Sequence, residues 1–493
     1  MYYLGIDVGS SSVKIALVEI KSGRSLGVVQ QPEQEMTIDA PQEGWAEQEP
    51  EMWWNHVCEG IHRIKQNLGV SRKDILGIGI SYQMHGLVIV DENGTPLRKS
   101  IIWCDSRAVV TGNKAYEAIG KEKCDKHLLN SPANFTASKL RWVKDNEPEI
   151  FEKTAKFMLP GDYIAFQFSG EINTTVSGLS EGIFWDFIND KLAQDVMEHH
   201  GFSNDLVPNV VDTFGVQAVV SKKGSELSGL LEGTPILYRA GDQPNNALSL
   251  NVFHPGEVAA TGGTSGVVYA VTDNLSVKES SRVNNFAHVN YKRGQVQNIG
   301  KLLCINGAGI QYRWLLNNLA VSSYDEMNTL ASEAEVGADG VCIIPFGNGA
   351  ERMLLNQNIG TRIVNLNLNR HSRAHICRAA LEGIAFSFVY GVEIMKSDGI
   401  KAEVLRAGND NLFRSKIFAN TISTLIEQEI EIYDTTGAIG AARACTIYKN
   451  GYGAFSGYMK NDHVKTFTPI KDKTEYKRAY ENWKKELELI MNK

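Results

Sequence analysis

Apolar positions come in short, strand-length bursts at the start of the chain: Tyr3 to Ile6, Val13 to Ile20 and Ser25 to Val29. The small-residue loop Asp7-Val8-Gly9-Ser10-Ser11-Ser12 and a Lys21-Ser22-Gly23 turn separate them, so the pattern predicts a β-meander. The period then changes. After Pro50, the residues Trp53, Val57, Ile61, Ile64 and Leu68 recur at spacings of three and four, which predicts a helix with one apolar stripe covering the sheet. A buried strand at Ile75 to Ile80 follows, then the polar segment Ser81-Tyr82-Gln83-Met84-His85, a strand at Leu87 to Val90, an Asn93-Gly94 turn and the apolar stretch Ile101-Ile102-Trp103. This mixture predicts an α/β protein.

The second half repeats the opening. Glu257 to Ala260, the loop Thr261-Gly262-Gly263-Thr264-Ser265-Gly266 and Val267 to Val271 form a strand, loop and strand displaced by 261 − 7 = 254 residues from Asp7. The last third reads as helical, with a nearly continuous apolar run from Cys377 to Met395 and a closing stripe of Tyr476, Tyr480, Trp483, Leu487 and Ile490. Two similar halves around a cleft are expected, residues 1–244 and 245–493, with the closing helix packing back on the first half.

Composition removes several classes of function. A net charge of 50 − 57 = −7 gives no electrostatic reason to bind nucleic acid or an anionic membrane, and no apolar run approaches the roughly 18 residues that span a bilayer. The cysteines Cys58, Cys104, Cys124, Cys304, Cys342, Cys377 and Cys445 are scattered, without a C-x-x-C pair, so a reducing cytoplasm is expected.

The Walker pattern is absent, and Gly77-Ile78-Gly79 is too short for a dinucleotide fingerprint. Two loops remain, Gly9 to Ser12 and Gly262 to Gly266, whose free N–H groups and hydroxyls suit phosphate; each alone also reads as an ordinary hairpin turn. Asp7 ends the first strand, where a carboxylate can hold Mg²⁺. Asp242 follows the apolar strand Thr234 to Tyr238 in Gly241-Asp242-Gln243-Pro244, which reads either as an Asx-turn or as the base that takes a proton from an attacking hydroxyl. His85 lies in a loop between apolar strands and is read as a ligand contact. His371 and His375 have zinc spacing without a third ligand and are read as the opening of a helix near Ala374; Trp53 and Trp54 are read as core.

Taken together, Gly5-Ile6-Asp7-Val8-Gly9-Ser10-Ser11, Gln83-Met84-His85-Gly86, Trp103-Cys104-Asp105-Ser106-Arg107, Gly241-Asp242-Gln243, Gly262-Gly263-Thr264-Ser265-Gly266, Leu381-Glu382-Gly383 and Ala407-Gly408-Asn409 resemble the FGGY carbohydrate kinases, in order and over nearly the whole chain. The resemblance implies two ribonuclease-H-like domains of the actin/hexokinase-like ATPase type flanking a catalytic cleft, the first binding sugar and the second ATP. It makes Asp242 the catalytic base and Asp7 a magnesium-linked acid, with Asp242 sharing the metal. On the nucleotide side it points to Ser10, Ser11, Lys14, Gly263, Thr264, Gly307, Gln311, Gly408 and Asn409. On the sugar side it points to Gln83, Met84, His85, Trp103, Asp105 and Gln243. The Gln-Met-His-Gly string resembles the branch that acts on xylulose. Three positions depart from the family pattern: Gln243 after the acid, Asn409 in the adenine turn and Cys104 between Trp103 and Asp105.

The expectation is an ATP- and Mg²⁺-dependent kinase that phosphorylates a terminal hydroxyl of a ketopentose, D-xylulose at O5, with no nucleic-acid or membrane partner and with a homodimer possible. The alternatives are a ribulose, glycerol or other polyol kinase, or a nucleotide switch of the actin/Hsp70 type that does no sugar chemistry.

Overall fold

The structure, a computed structural model, describes residues 1–409 and 411–492. It consists of two compact units that are not contiguous in sequence. Unit 1 holds residues 1–253, 285–300 and 435–461; unit 2 holds 254–284, 301–434 and 462–493.

The sheet of unit 1 contains β1 (Tyr2–Val8), β2 (Val13–Glu19), β3 (Ser25–Gln31), β4 (Ile75–Tyr82), β5 (Phe214–Val219) and β6 (Pro235–Gly241), in the order β5-β6-β4-β1-β2-β3. β1, β4 and β6 run parallel, while β2, β3 and β5 are antiparallel to their neighbours. The expected meander is present; its first and third strands run longer than the apolar bursts and the second ends one residue sooner, at Glu19. The stretch Ile101-Ile102-Trp103 differs: only Ser100–Ile101 is strand and Trp103 turns out to solvent, because the chain bends there to form a buried ion pair.

In unit 2 the central strands are β7 (Glu257–Gly262), β8 (Gly266–Thr272), β9 (Ile299–Ile305), β10 (Val404–Gly408), β11 (Ile430–Tyr433) and β12 (His463–Phe467), ordered β9-β8-β7-β10-β11-β12. β7, β10 and β11 are parallel, and β12 runs antiparallel on β11. Both units therefore carry three neighbouring strands in chain order, the first two antiparallel, then two strands parallel to the first and an antiparallel edge, which is the ribonuclease-H-like arrangement and the structural form of the sequence repeat. The edge strand precedes its neighbour in unit 1 and follows it in unit 2.

Helix α1 (Pro50–Leu68) covers one face of the first sheet. Trp53, Val57, Ile61 and Ile64 are buried there, at about 1.5–3 kcal/mol of favourable transfer energy each. The other face is covered by a later helix of the same unit, Gly437–Met459, which comes much closer. A Cβ on Gly5 would fall 1.9 Å from the Ala438 carbonyl oxygen, and one on Gly79 would fall 1.9 Å from that of Ala441. In unit 2 the apolar run forms the helix Arg373–Ser397, capped by Ser372 and His375 as expected for its opening. The closing helix Thr474–Met491 also lies in unit 2, where the Trp483 indole N–H donates to the Ile343 carbonyl at 2.9 Å. The segment joining unit 1 is Thr435–Asn461 instead.

Gly5→Ala should destabilise the protein by about 1 to 3 kcal/mol, because the blocking atom is backbone and cannot move aside. Gly457, exposed on the far end of helix Gly437–Met459 with nothing within 4 Å of its would-be Cβ, is the control: Gly457→Ala should gain about 0.5 to 1 kcal/mol in urea unfolding. Equal effects of the two would refute the close helix–sheet contact.

Candidate functional site

Three parallel strands of unit 1 end level with each other. Asp7 is paired with Ser81 and Ser81 with Ala240; one step on, Val8 is paired with Tyr82 and Tyr82 with Gly241. The next residues out are Gly9, Gln83 and Asp242, and the Gln83 N–H still donates to the Val8 carbonyl at 2.7 Å. Carboxyl ends of parallel strands are where α/β folds present their ligand groups.

The Ser81 hydroxyl donates to Asp7 Oδ1 at 2.8 Å. Burial pushes the Asp7 carboxyl up from its ordinary range, against that bond and the Lys14 charge opposite it on β2. Helix Gly437–Met459 begins beside Asp7: a Cβ on Gly437 would lie 2.6 Å from Asp7 Oδ2. Asp242 opens the helix Asp242–Ser249. Burial and then the Asp7 charge push its carboxyl up to about 7, against hydrogen bonds from Gln243.

Gln83 and Met84 are buried; Gln83 Nε2 donates to Gln48 Oε1 at 3.3 Å, while Gln83 Oε1 has no partner among the described residues. His85 sits in the left-handed region with φ 62°. Its Nδ1 lies 3.0 Å from the Glu181 carbonyl, which can only accept, so Nδ1 is the donor of that bond. The Phe135 and Phe286 rings flank it at 4.8 and 5.2 Å. Trp103 is exposed, and its indole N–H donates to Ser10 Oγ at 3.2 Å, which joins it to the loop between β1 and β2. Ser11 is exposed in that loop.

Asp105 is placed differently from a ligand group. It is fully buried and receives the Arg107 guanidinium at 2.7 Å and the Ala46 N–H at 2.6 Å, while Arg107 stacks 3.7 Å from the Trp45 ring centre. The pair fixes the turn that displays Trp103.

In unit 2 the loop between β7 and β8 meets helix Gly309–Asn318: the Gly309 and Ile310 N–H groups donate to the Gly263 and Thr264 carbonyls at 3.1 and 3.0 Å. Gly263, Thr264, Gly309, Tyr312, Arg313, Tyr324 and Arg414 line a cavity of about 470 Å³. Gly307 leads into that helix, its N–H and that of Asn306 held by the buried Glu351 at 2.7 and 2.9 Å. Gln311 is buried in the same helix. Gly408 ends β10, and the Asn409 carbonyl accepts from Arg414 Nε at 3.0 Å, so the expected adenine turn reaches the cavity through Arg414. Asp410, the last residue of that turn, lies outside the described residues.

Sequence reasoning missed Glu181, Lys139, Glu351 and the stacked Tyr312–Tyr324 pair. Glu181 is buried, its carboxyl driven far up by burial and by the Asp242 and Asp162 charges, against a Tyr82 hydrogen bond. A Cβ on Gly241 would meet Met84 Cγ at 2.5 Å and Glu181 Oε2 at 2.6 Å, so Gly241 lets these two side chains close under Asp242.

Residues 2–249 match the sequence profile of the N-terminal domain of the FGGY family of carbohydrate kinases, and 258–447 that of its C-terminal domain. The chain is 29% identical to the xylulose kinase of Bacillus subtilis, covering 81% of this chain and 78% of that protein, and 26% identical to the xylulose kinase of Haemophilus influenzae, covering 98% of each. In fold it is similar to the xylulose kinase of Rhodospirillum rubrum, with a TM-score of 0.87 and 23% identity over the whole of both chains. It is likewise similar to Plasmodium falciparum glycerol kinase with ADP, with a TM-score of 0.87 and 20% identity over 99% and 98% of the two chains.

Asp242 titrates near 7 when folded and near 3.8 when free. The folded form therefore holds the proton over that window, and the stability this confers is lost as pH rises from about 4 to about 7. In Asp242→Asn the loss is absent, so the melting temperature of the variant relative to the wild type should climb across a pH 4.5–7.5 series and then level off. A constant difference would put Asp242 among ordinary carboxylates.

Proposed function

Since the chain belongs to the FGGY family of carbohydrate kinases, we propose that it transfers the γ-phosphoryl group of ATP to the terminal hydroxyl of a ketopentose, converting D-xylulose to D-xylulose 5-phosphate with Asp242 as general base. One observation carries the reading: a carboxylate whose pKa lies at about 7 stands one ladder step beyond Gly241, level with the Gln83-Met84-His85 segment. A base with that affinity for protons is half ionised at neutral pH and takes a proton readily as the hydroxyl oxygen approaches phosphorus. The xylulose kinases among the relatives support the choice of sugar.

Phosphoryl transfer leaves little covalent chemistry to the protein; alignment and charge compensation do most of it. Gln83 Oε1, a buried acceptor without a partner among the described residues, accepts from a sugar hydroxyl. His85, two residues on in the same segment, meets the sugar beside it. Trp103 covers the sugar and, through Ser10, ties it to the phosphate loop. The loop Gly263-Thr264 and the cavity beside it hold the nucleotide, with Arg313 and Arg414 toward its phosphates and ribose and Tyr324 as the apolar wall for the base. Asp7 and Asp242 fit Mg²⁺: both are hard oxygen donors, each raises the need for a cation near the other, and Gly437 keeps the space over Asp7 Oδ2 open. Mg²⁺ takes one or two carboxylates with phosphate oxygens and water, and when bound it screens phosphate charge. The cytoplasm suits the seven free cysteines.

Assayed against ketopentoses, aldoses and polyols, D-xylulose should give the highest kcat/KM, which should rise with pH through about 7 as Asp242 loses its proton. Asp242→Asn should lower kcat by about 10²- to 10⁴-fold with little change in sugar KM, and added magnesium should not restore it. Asp7→Asn should recover in part at high magnesium. His85→Ala should raise the sugar KM about 10-fold or more and leave that for ATP nearly unchanged. Near-normal kcat in Asp242→Asn would overturn the assignment of the base; a preference for glycerol or ribulose would move the substrate within the family.

A further inference from the structure

Lys139 is the fourth residue of the helix Thr136–Asn146 and is fully buried. Its ammonium donates to two backbone carbonyls in unit 1, that of His85 at 2.9 Å and that of Ile102 at 2.9 Å. These carbonyls belong to two separate segments, one ending in His85 and the other leading into Trp103. The same short stretch of chain meets both segments twice more: Asn134 Nδ2 donates to the Asp105 carbonyl, and the Phe135 ring stands edge-on to His85 at 4.8 Å.

Burying an ammonium group is costly, and the packing of this helix would be served as well by Leu or Met. The cost shows in its titration. Burial draws the Lys139 pKa down to about 7, although Asp105, Cys104 and Glu181 act in the opposite direction. The tie does not depend on the charge, because a neutral amine still has two N–H donors for its two acceptors. It also acts where the backbone needs holding: His85 has φ 62°, a left-handed conformation that costs a non-glycine residue energy and persists only when its surroundings fix it.

We propose that Lys139 is a positioning residue that fixes the spacing between His85 and Trp103, and with it the length of sugar the site accepts. The inference rests on the sugar-kinase reading of this site. It adds that selectivity among polyols is set from beneath, by one side chain that touches no substrate, as well as by the groups that do. A sugar shorter than the fixed spacing makes one set of contacts and loses the other; relaxing the spacing lets the site adjust to it.

Lys139→Met keeps the stem and the volume and removes both bonds. Hydrogen–deuterium exchange should then rise together in residues 83–86 and 102–105, and not in the Gly263-Thr264 loop. The KM for the best ketopentose should rise about 10- to 100-fold, KM for ATP should stay within about twofold, and the preference for ketopentose over glycerol should fall by about 10-fold or more. Lys139→Gln, which reaches one carbonyl, should fall between Met and wild type. Asn134→Ala, on a partly exposed position, provides the same readouts should the Met variant not fold, with smaller changes in the same direction. Increased exchange in one segment alone, or equal loss of sugar and ATP affinity, would overturn the proposal. If the wild type phosphorylates none of the sugars, the functional reading fails while the exchange experiment still decides whether Lys139 ties the two segments.

Discussion

The pairing of Gly5 with Gly79 across β1 and β4 determines where the rest of unit 1 can stand. Two glycines side by side leave a flat patch on the sheet, and helix Gly437–Met459 presses its backbone onto it at a distance no side chain permits. With the helix held that close, its first residue falls beside the Asp7 carboxylate, and the Asn245 amide, donating to the Gly437 carbonyl at 3.0 Å, ties the helix after Asp242 to the same point. The two carboxylates are thus fixed by packing on the far side of the sheet from α1, not by the loops that carry them.

This arrangement concentrates acid. Asp7, Asp242 and Glu181 are all raised by burial, and Asp7 and Glu181 are each coupled to Asp242. Such a group of like charges opposes folding at neutral pH. One layer deeper, Arg239 and Asp162 form a fully buried ion pair at 2.9 Å, and Lys139 is fully buried as well. These groups lie beneath the acids without neutralising Asp242 directly, and its carboxyl stays raised.

What could be read from the sequence was what has a local signature. Asp7 and Asp242 follow apolar strands and stand beside glycine, and the α1 stripe has helical spacing, so both were visible before any coordinates. The repeat at 254 residues was visible as well and proves to be a repeat of strand connectivity. Glu181, Lys139 and Glu351 were not, because each acts through backbone carbonyls, backbone N–H groups or distant charges, and no residue pattern announces a partner of that kind. Lys139 lies in a stretch that reads as an ordinary helix face, Thr136 to Asn146, where a lysine is by habit assigned to solvent. Asp105 shows the converse: its motif suggests a ligand contact, yet its carboxylate already holds Arg107 and the Ala46 N–H.

The two units share a strand order but not a charge. At the end of β1 stands Asp7; the residue displaced from it by 254 positions is Thr261, and the loop that follows offers glycines and hydroxyls. The cavity beside that loop has, among the described residues, Arg313 and Arg414 against one acid, Asp325. The strand ends of unit 1 therefore disfavour a polyanion and the loop of unit 2 favours one, whereas a neutral molecule is indifferent to that difference. The same strand-end loop thus stands in both units, with a carboxylate at the strand end in one and a hydroxyl in the other.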